Sequence, residues 1–554
     1  MTTSYQLPFR ITIGVTGHRN LDPETLPAFR KTLQRILDDI KSRHAYEGQT
    51  SFGWRILSPL AEGADRLVAE EVLKRPEGAL LRAVLPLTVS DYLEDFSTDQ
   101  SKEEFQYLLA KDRSPMTLKK STLQNEYPPE MVREARRQAY ENVGRFVVEH
   151  CDILIALWDG KESRGKGGTA DIIAYADKQK CPRYTILTTA PDEFEFITGR
   201  DDIQWQYKKL DHLNRQIAAA LLEPRIQEKY DDLFTVEKIK EESGKISDGL
   251  KKDVRERLLP YYVVADHLAA TYQNLYMKTG TRIFFAALFA TAIVAISVTF
   301  CGRPPWPVFV IEFLILSAIV GSYWYADKIK GAHKNWRAYR FLAERIRCAI
   351  FLAVGGVEPA PLFFKRRDDE GNPQKQDYQW LIIAFDEIWN RIPQRKITDS
   401  KDMELRKNYI IKAWIEDQIE YHKGNTDKKS SKSKKWETTG ETIFYCAMGA
   451  AALHIVFSMS DFHFDVIDKL LIFVALILPS VATVAESIRS HHQFKYLATH
   501  SQMMASDINK LSNDFTLLTP KRFEDLLLET DHLMMKEVQD WIALTGSTHL
   551  SKAV

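Results

Sequence analysis

Phe9–Arg19 reads FRITIGVTGHR. The run FRITIGV is short and apolar, which predicts a buried strand, and Thr16-Gly17-His18-Arg19 closes it as a loop. Beyond the loop, Leu26, Phe29, Leu33, Ile36, Leu37 and Ile40 recur at helical spacing. The alternation then continues through WRILSPL (54–60), a helix from about Ala64 to Lys74, LLRAVLPL (80–87), a long helix around Met131 to His150, and DILIALWDG (152–160). A helix from about Thr169 to Gln179 and the strand RYTILT (183–188) complete it. Near-continuously apolar strands alternating with helices predict a parallel sheet covered on both faces, an α/β Rossmann-like unit. In such sheets ligands bind in the loops beyond the carboxyl ends of the strands.

Three loops on that edge carry the candidate ligand-binding residues. Gly17, His18 and Arg19 follow the first strand. Ser58, Glu62, Gly63 and Asp65 follow the second, and Lys166, Gly167, Gly168 and Thr169 run into a helix. A glycine-rich loop at a helix N-terminus offers free backbone N–H groups where the dipole is positive, which suits a phosphate. Arg19 and Lys166 can add charge-assisted contacts. The plain alternatives are a simple turn, a surface arginine, and Asp65 as an anion at the start of its helix.

The combination IGVTGHR, LSPLAEGADRLVAEEVL, DILIALWDG and GKGGTADIIAYA resembles the SLOG superfamily. Its Rossmann-like members include the LOG nucleotide-processing enzymes and the sensor domains of melastatin-type channels. The resemblance covers roughly residues 9 to 190 and implies that Gly17, Arg19, Gly63, Asp65, Gly167, Gly168 and Thr169 line a site for a nucleotide or nucleotide-derived ligand. The LOG hydrolases place a catalytic glutamate three residues after the threonine of their glycine-rich motif. Here that position is Ile172, with an acid only at Asp171. One residue on a helix turns a side chain by about 100°. Ligand sensing, with no cofactor required, is therefore expected ahead of hydrolysis.

Farther along, Ile283–Phe300 (IFFAALFATAIVAISVTF) is 18 residues without a charge. At about 1.5 Å per residue it crosses most of a hydrocarbon core roughly 30 Å thick. Val308–Ala326, Thr442–Met459 and Leu470–Ala485 give three further spans, interrupted by Glu312, His454 and Pro479. A buried core helix is the alternative reading for such runs, more so for the second pair. Lys278 and Arg282 precede the first span, Lys328, Lys330 and Lys334 follow the second, and Lys428, Lys429, Lys432, Lys434 and Lys435 precede the third. This asymmetry predicts an inner (plasma) membrane protein with both termini cytoplasmic. Glu312 and His454 are candidate pore or gating residues, because ionisable groups inside spans usually face a bundle interior or a water path.

The flanks of both hairpins carry aromatic and charged stripes. Leu268, Tyr272, Leu275 and Tyr276 precede the first; Trp336, Tyr339, Arg340, Ala343, Glu344 and Arg347 follow it; Trp414, Gln418 and Tyr421 precede the second. With WRAYRFLAERIR (336–347) as the most specific fragment, the pattern resembles tandem SLATT modules, the two-span effectors that accompany SLOG domains in bacterial conflict systems. The plain reading is packing of cytoplasmic helices. VEPAPLFFKRRDDEGNPQKQDYQW (357–380) and HKGNTDKKSSKSKK (422–435) read as polar breaks, the second a linker able to touch anionic lipid.

These readings divide the chain into a SLOG-like domain at 9–190, a helical connector at 191–254, a two-span unit at 255–355 (spans about 283–300 and 308–326), a cytoplasmic linker region at 356–409, and a second two-span unit at 410–546 (spans about 442–459 and 470–486). The totals are compatible with that division. In 554 residues, 75 Lys and Arg balance 75 Asp and Glu, which argues against a nucleic-acid binder. Five scattered cysteines without a CxxC pair imply free thiols. A mean hydropathy of -0.29 averages a polar half with a membrane half. The expected partners are a nucleotide-derived signal, the lipid bilayer and further copies of the chain, since four spans are too thin to enclose a pore. The expected function is a nucleotide-gated membrane effector of antiphage defence, as the resemblance implies. A membrane-anchored hydrolase using Asp65 or Asp171 and a non-catalytic scaffold stand as alternatives.

Overall fold

The computed structural model describes residues 5–119, 121–162, 167–220, 240–302, 304–359, 379–459, 465–515 and 519–546. The chain forms two compact units: an α/β unit of Met1–Ile226 with Glu358–Pro393, and a helical unit of Gln227–Val357 with Gln394–Val554.

In the α/β unit the elements run β1 (Phe9–Gly17), α1 (Leu26–Arg43), β2 (Phe52–Ser58), α2 (Ala64–Leu73), β3 (Ala79–Leu85), α3 (Val89–Leu93), α4 (Asp99–Leu109) and β4 (Met116–Thr117). There follow α5 (Leu123–Glu126), α6 (Pro129–His150), β5 (Ile153–Trp158), α7 (Thr169–Lys178), β6 (Arg183–Leu187), β7 (Ala190–Ile197) and α8 (Ile203–Ala220). The seven strands lie in the order β4-β3-β2-β1-β5-β6-β7. All neighbours are parallel except β6 and β7. Strand order reverses beside β1, which sits between β2 and β5. A switch of this kind opens a crevice at the carboxyl edge.

The domain extends beyond the stretch expected from sequence. Residues 191–220, read as a connector, supply edge strand β7 and helix α8, and α8 is locked to the sheet through buried polar groups. The Asn214 amide donates to the Leu7 carbonyl and accepts from the Leu7 N–H, both at 2.9 Å. Thr50 Oγ1 donates to Asp211 at 2.8 Å.

A larger departure lies at 356–409. The helix Gln379–Trp389 belongs to the α/β unit and buries Trp380, Leu381, Ile383, Ala384 and Ile388. Its acids meet arginines of the sheet. The pairings Arg10 with Gly53 and Leu57 with Arg82 put Arg10, Arg55 and Arg82 on one face, because side chains alternate along a strand. Asp386 lies 3.1 Å from Arg55 and 3.2 Å from Arg82, Glu387 lies 2.5 Å from Arg10, and Asp112 lies 3.1 Å from Arg82. The apolar segment is too short to read as a span and follows a long polar tract, so its docking was hidden. Most of VEPAPLFFKRRDDEGNPQKQDYQW lies outside the described residues.

Four helices of the helical unit are long and apolar enough to cross a membrane. The first, Leu259–Cys301, has 43 residues and is about 65 Å long. Its first 24 residues precede the apolar run at Ile283 and form a stalk. Trp306–Trp324 carries the second span and passes through a π-helical turn, Tyr325–Ile329, toward the helix Ala332–Gly355. Asp417–Ser458 carries the third and Asp465–His491 the fourth, with Pro479 inside the helix. Phe289, Phe313, Leu314 and Val320 are exposed, as lipid-facing groups would be.

The aromatic stripes pack within the helical unit. The Tyr272 and Tyr339 rings stack at 5.7 Å, Phe351 stacks on Trp414 at 5.0 Å, and Arg340 reaches Glu344 at 2.6 Å. HKGNTDKKSSKSKK, read as a linker, is instead helical throughout, inside Asp417–Ser458. It contains no proline, and His422 and Ser433 are buried, while the Asn425 amide donates to Ser501 Oγ at 2.7 Å. Packing on the neighbouring helix Phe494–Asp514 overrides its polar composition.

Asp386→Ala leaves Arg55 and Arg82 without their shared counter-charge in a buried setting. Loss of one partner of a buried pair costs about 3–5 kcal/mol. The expected outcome is a lowered melting temperature of the full chain in detergent; an unchanged one contradicts the docking.

Candidate ligand site

The carboxyl ends of β1 and β5 and the loop after β2 enclose a cavity of about 740 Å3. That lies inside the range of roughly 300–1,000 Å3 usual for small-molecule sites. Close approach of backbones builds it. A Cβ on Gly17 would stand 2.4 Å from the Ala64 Cβ, and Gly63, at φ +75°, would put one 2.1 Å from the Arg19 carbonyl oxygen. Neither position has room for a side chain. The Ala64 N–H donates to the His18 carbonyl at 3.1 Å, so the first loop holds the start of α2.

Of the residues singled out from sequence, Gly17, His18, Arg19, Asp65, Gly167, Gly168 and Thr169 line this one cavity. Ser58, Glu62 and Gly63 stand behind it. Ser58 Oγ accepts from the Leu60 N–H at 3.0 Å, and Glu62 accepts from Ser101 Oγ at 2.5 Å. Gly63 serves by its backbone shape. Lys166 lies outside the described residues. The Asp171 carboxylate accepts from the Gly167 N–H at 3.0 Å and so fixes the glycine turn. Ile172, where the resemblance to LOG hydrolases led us to look for a glutamate, lines the cavity and is so close to Gly144 that a Cβ there would stand 2.5 Å from Ile172 Cδ1. The side chain at that position is hydrocarbon packed on hydrocarbon.

Two oppositely behaved groups face the interior. Burial pushes the Asp65 carboxyl up to about 7, although the Ala61 N–H and the Arg19 and Arg66 guanidinium groups pull it down. Arg19 stacks over the Tyr140 ring at 4.8 Å; burial opposes its charge, but Tyr140, Tyr92 and Asp95 outweigh that and keep it firmly cationic. Tyr140 in turn donates to Asp95, which accepts from Arg136 at 2.5 Å. The His18 Nε2 accepts from the Asp159 N–H at 3.0 Å. At the start of α7 the N-cap is Gly168, which has no side chain with which to cap the helix. Among the described residues the first N–H groups of the helix have no side-chain cap, and such groups suit an anion.

Tyr92, Asp95, Arg137, Tyr140, Trp158 and Asp159 also line the cavity and were not singled out as site residues from sequence. The segment Asp91-Tyr92-Leu93-Glu94-Asp95 follows β3, on the same carboxyl edge, so the topological rule already pointed there. Tyr140 and Arg137 sit within α6 and carry no such signal. In the helical unit, Glu312 and His454 are half-buried on the second and third span helices. The second span helix packs on the first and the third on the fourth. A smaller cavity of about 350 Å3 in that unit is lined by His422, His500, Glu344 and Glu537 among others, with Glu537 3.9 and 3.8 Å from the two histidines.

No family model matches the chain, and no curated protein or solved structure matches it either.

The Asp65 shift sets a pH dependence. Between its ordinary value of 3.8 and about 7 the folded chain holds a proton that the unfolded chain has released. Stability from this group therefore falls as pH rises across that window and levels off above it. The melting-temperature difference between wild type and Asp65→Asn should decline from pH 4.5 to 7.5. A difference independent of pH contradicts the assignment.

Proposed function

We propose that this chain is a ligand-gated membrane effector. The α/β unit binds a nucleotide-derived anion in the 740 Å3 cavity, and binding biases the stalk helices and an oligomeric assembly of the four spans toward an open or membrane-disrupting state. The carrying observation is that three loops distant in sequence converge on one cavity, with a firmly charged arginine and a helix N-terminus whose N-cap is a glycine, in a chain that also holds four membrane-length helices. The chain passes between the two units at 226/227, 357/358 and 393/394, so the receptor is interleaved with the output. The resemblance to SLOG and SLATT modules supports antiphage defence as the setting, with an inner-membrane location and both termini cytoplasmic. A shift from 1:99 to 99:1 open requires about 5.5 kcal/mol of differential binding. Several charge-assisted phosphate contacts repeated across an oligomer are of that order. Glu312 and His454 are the gating candidates of this reading.

One observation favours a second reading. Asp65, held near 7 inside the cavity beside Arg19, has the pKa of a general acid or base at neutral pH, which suits a membrane-anchored nucleotide hydrolase. Full-length protein in dye-loaded liposomes, exposed on its α/β side to AMP, ATP and ADP-ribose, separates the two. The effector reading expects binding without turnover and a change in ion flux with at least one nucleotide. It also expects Arg19→Ala to weaken that binding by about 10- to 100-fold, as loss of a hydrogen bond to a charged group does. Turnover without flux favours the hydrolase; neither binding nor flux overturns both.

A further inference from the structure

The cavity of about 350 Å3 in the helical unit has one end whose charges are answered and one whose charge is not. At the first, Arg340 lies 2.6 Å from Glu344 and 3.7 Å from Asp266, and Arg347 pairs with Glu344. Glu537 stands at this end too, beside His422 and His500, and burial and then Glu344 push its carboxyl up to about 7. At the other end Lys429 lines the cavity half-buried, and among the described residues no carboxylate pairs with it. Burial, then Lys432 and Lys428, push its ammonium below its ordinary value. Lys429 lies seven residues beyond His422 on the helix Asp417–Ser458, so the two ends are about 10 Å apart.

The sequence accounts for the missing counter-charge. At about 100° per residue, Lys428, Lys429, Lys432 and Lys435 share one side of the helix. The residues three and four away from Lys429 are Asn425, Thr426, Lys432 and Ser433, none of them acidic. Glu437, the next acid along, faces Arg489 at 3.4 Å. The neighbouring element brings no charge either: the Lys429 and Lys432 ammonium groups lie 5.6 and 5.9 Å from the centre of the Phe494 ring, on which His492 stacks at 5.1 Å. Like charges at this spacing on a helix cost stability until an anion joins them.

The cluster stands where the spans end. Thr281, two residues before the apolar run at Ile283, has its Oγ1 3.3 Å from His492 Nε2, and His492 directly follows the fourth span helix, Asp465–His491. Trp436 lies one turn beyond Lys432 toward the third apolar run, the position that interfacial tryptophans take. Lipid head groups occupy this level, in the layer roughly 5–7 Å deep outside the hydrocarbon.

We propose that Lys429 and Lys432 hold the phosphate of an anionic phospholipid at the membrane end of this cavity. The assignment rests on the reading of the four long helices as spans and is independent of the nucleotide reading. Free phosphate offers the same charge, but a cluster level with the ends of the apolar runs meets the phosphates that the bilayer itself carries there. A lipid held here joins the third span helix to the turn at Gln493, where the backbone, at φ +51°, separates the fourth span helix from Phe494–Asp514.

Full-length protein in an uncharged detergent is titrated with short-chain phosphatidylglycerol or phosphatidylcholine, with inorganic phosphate at equal concentration as competitor, and bound lipid is counted by native mass spectrometry. Wild type is compared with the double variant Lys429→Gln, Lys432→Gln and with Lys423→Gln, Lys434→Gln, which removes two charges from another side of the same helix. Melting temperatures are measured without lipid. Wild type is expected to bind phosphatidylglycerol about tenfold or more tightly than phosphatidylcholine, undisturbed by phosphate. The Lys429, Lys432 variant should bind it about tenfold or more weakly and melt no lower than wild type, while the Lys423, Lys434 variant binds as wild type does. Equal affinity for the two lipids, displacement by phosphate, an equal loss in both variants, or a lower melting temperature for the Lys429, Lys432 variant overturns the assignment and leaves the nucleotide reading standing. If the full chain stays in solution without detergent and does not enter liposomes, the membrane reading fails and this assignment falls with it.

Discussion

Three arginines lie on one face of the central sheet, and each needs a counter-charge before that face can close. Asp112 supplies part of it from within the domain, but Asp386 and Glu387 come from a helix far along the chain, beyond the first pair of spans. Burying a guanidinium without its partner is among the costliest defects a fold can carry. The α/β unit is therefore complete only when residues 358–393 have returned to it. This constraint ties the α/β unit to the helical unit covalently on both sides of the returning helix, at Val357 and Gln394.

The same logic of close approach operates at the other edge of the sheet. Gly17 and Gly63 are small because the first loop and the start of α2 occupy the same few ångströms. That contact brings Arg19 and Asp65 into one cavity, with the charge of the first sustained and that of the second suppressed.

Much of this was legible in the sequence. FRITIGV and DILIALWDG are so apolar that only a strand buried on both faces suits them, and β1 and β5 lie side by side at the centre of the sheet. Four apolar runs of span length became four membrane-length helices. Gly17, Gly63 and Asp65 stood out because they lie on loops at the carboxyl edge of the predicted sheet. What escaped notice depended on tertiary pairing. Arg55 and Arg82 look like surface cations until Asp386 is placed beside them. HKGNTDKKSSKSKK has a linker's composition and becomes helix through its neighbours.

The central claim is that occupancy of the cavity changes the helices that cross the membrane. Amide hydrogen exchange of the full chain in lipid nanodiscs, with and without AMP, measures this directly. The account predicts slower exchange at residues 16–20, 88–96 and 167–172, accompanied by altered exchange in the stalk at 259–282 and 332–355. Protection confined to the α/β unit, with exchange in the helical unit identical in the two conditions, would contradict it.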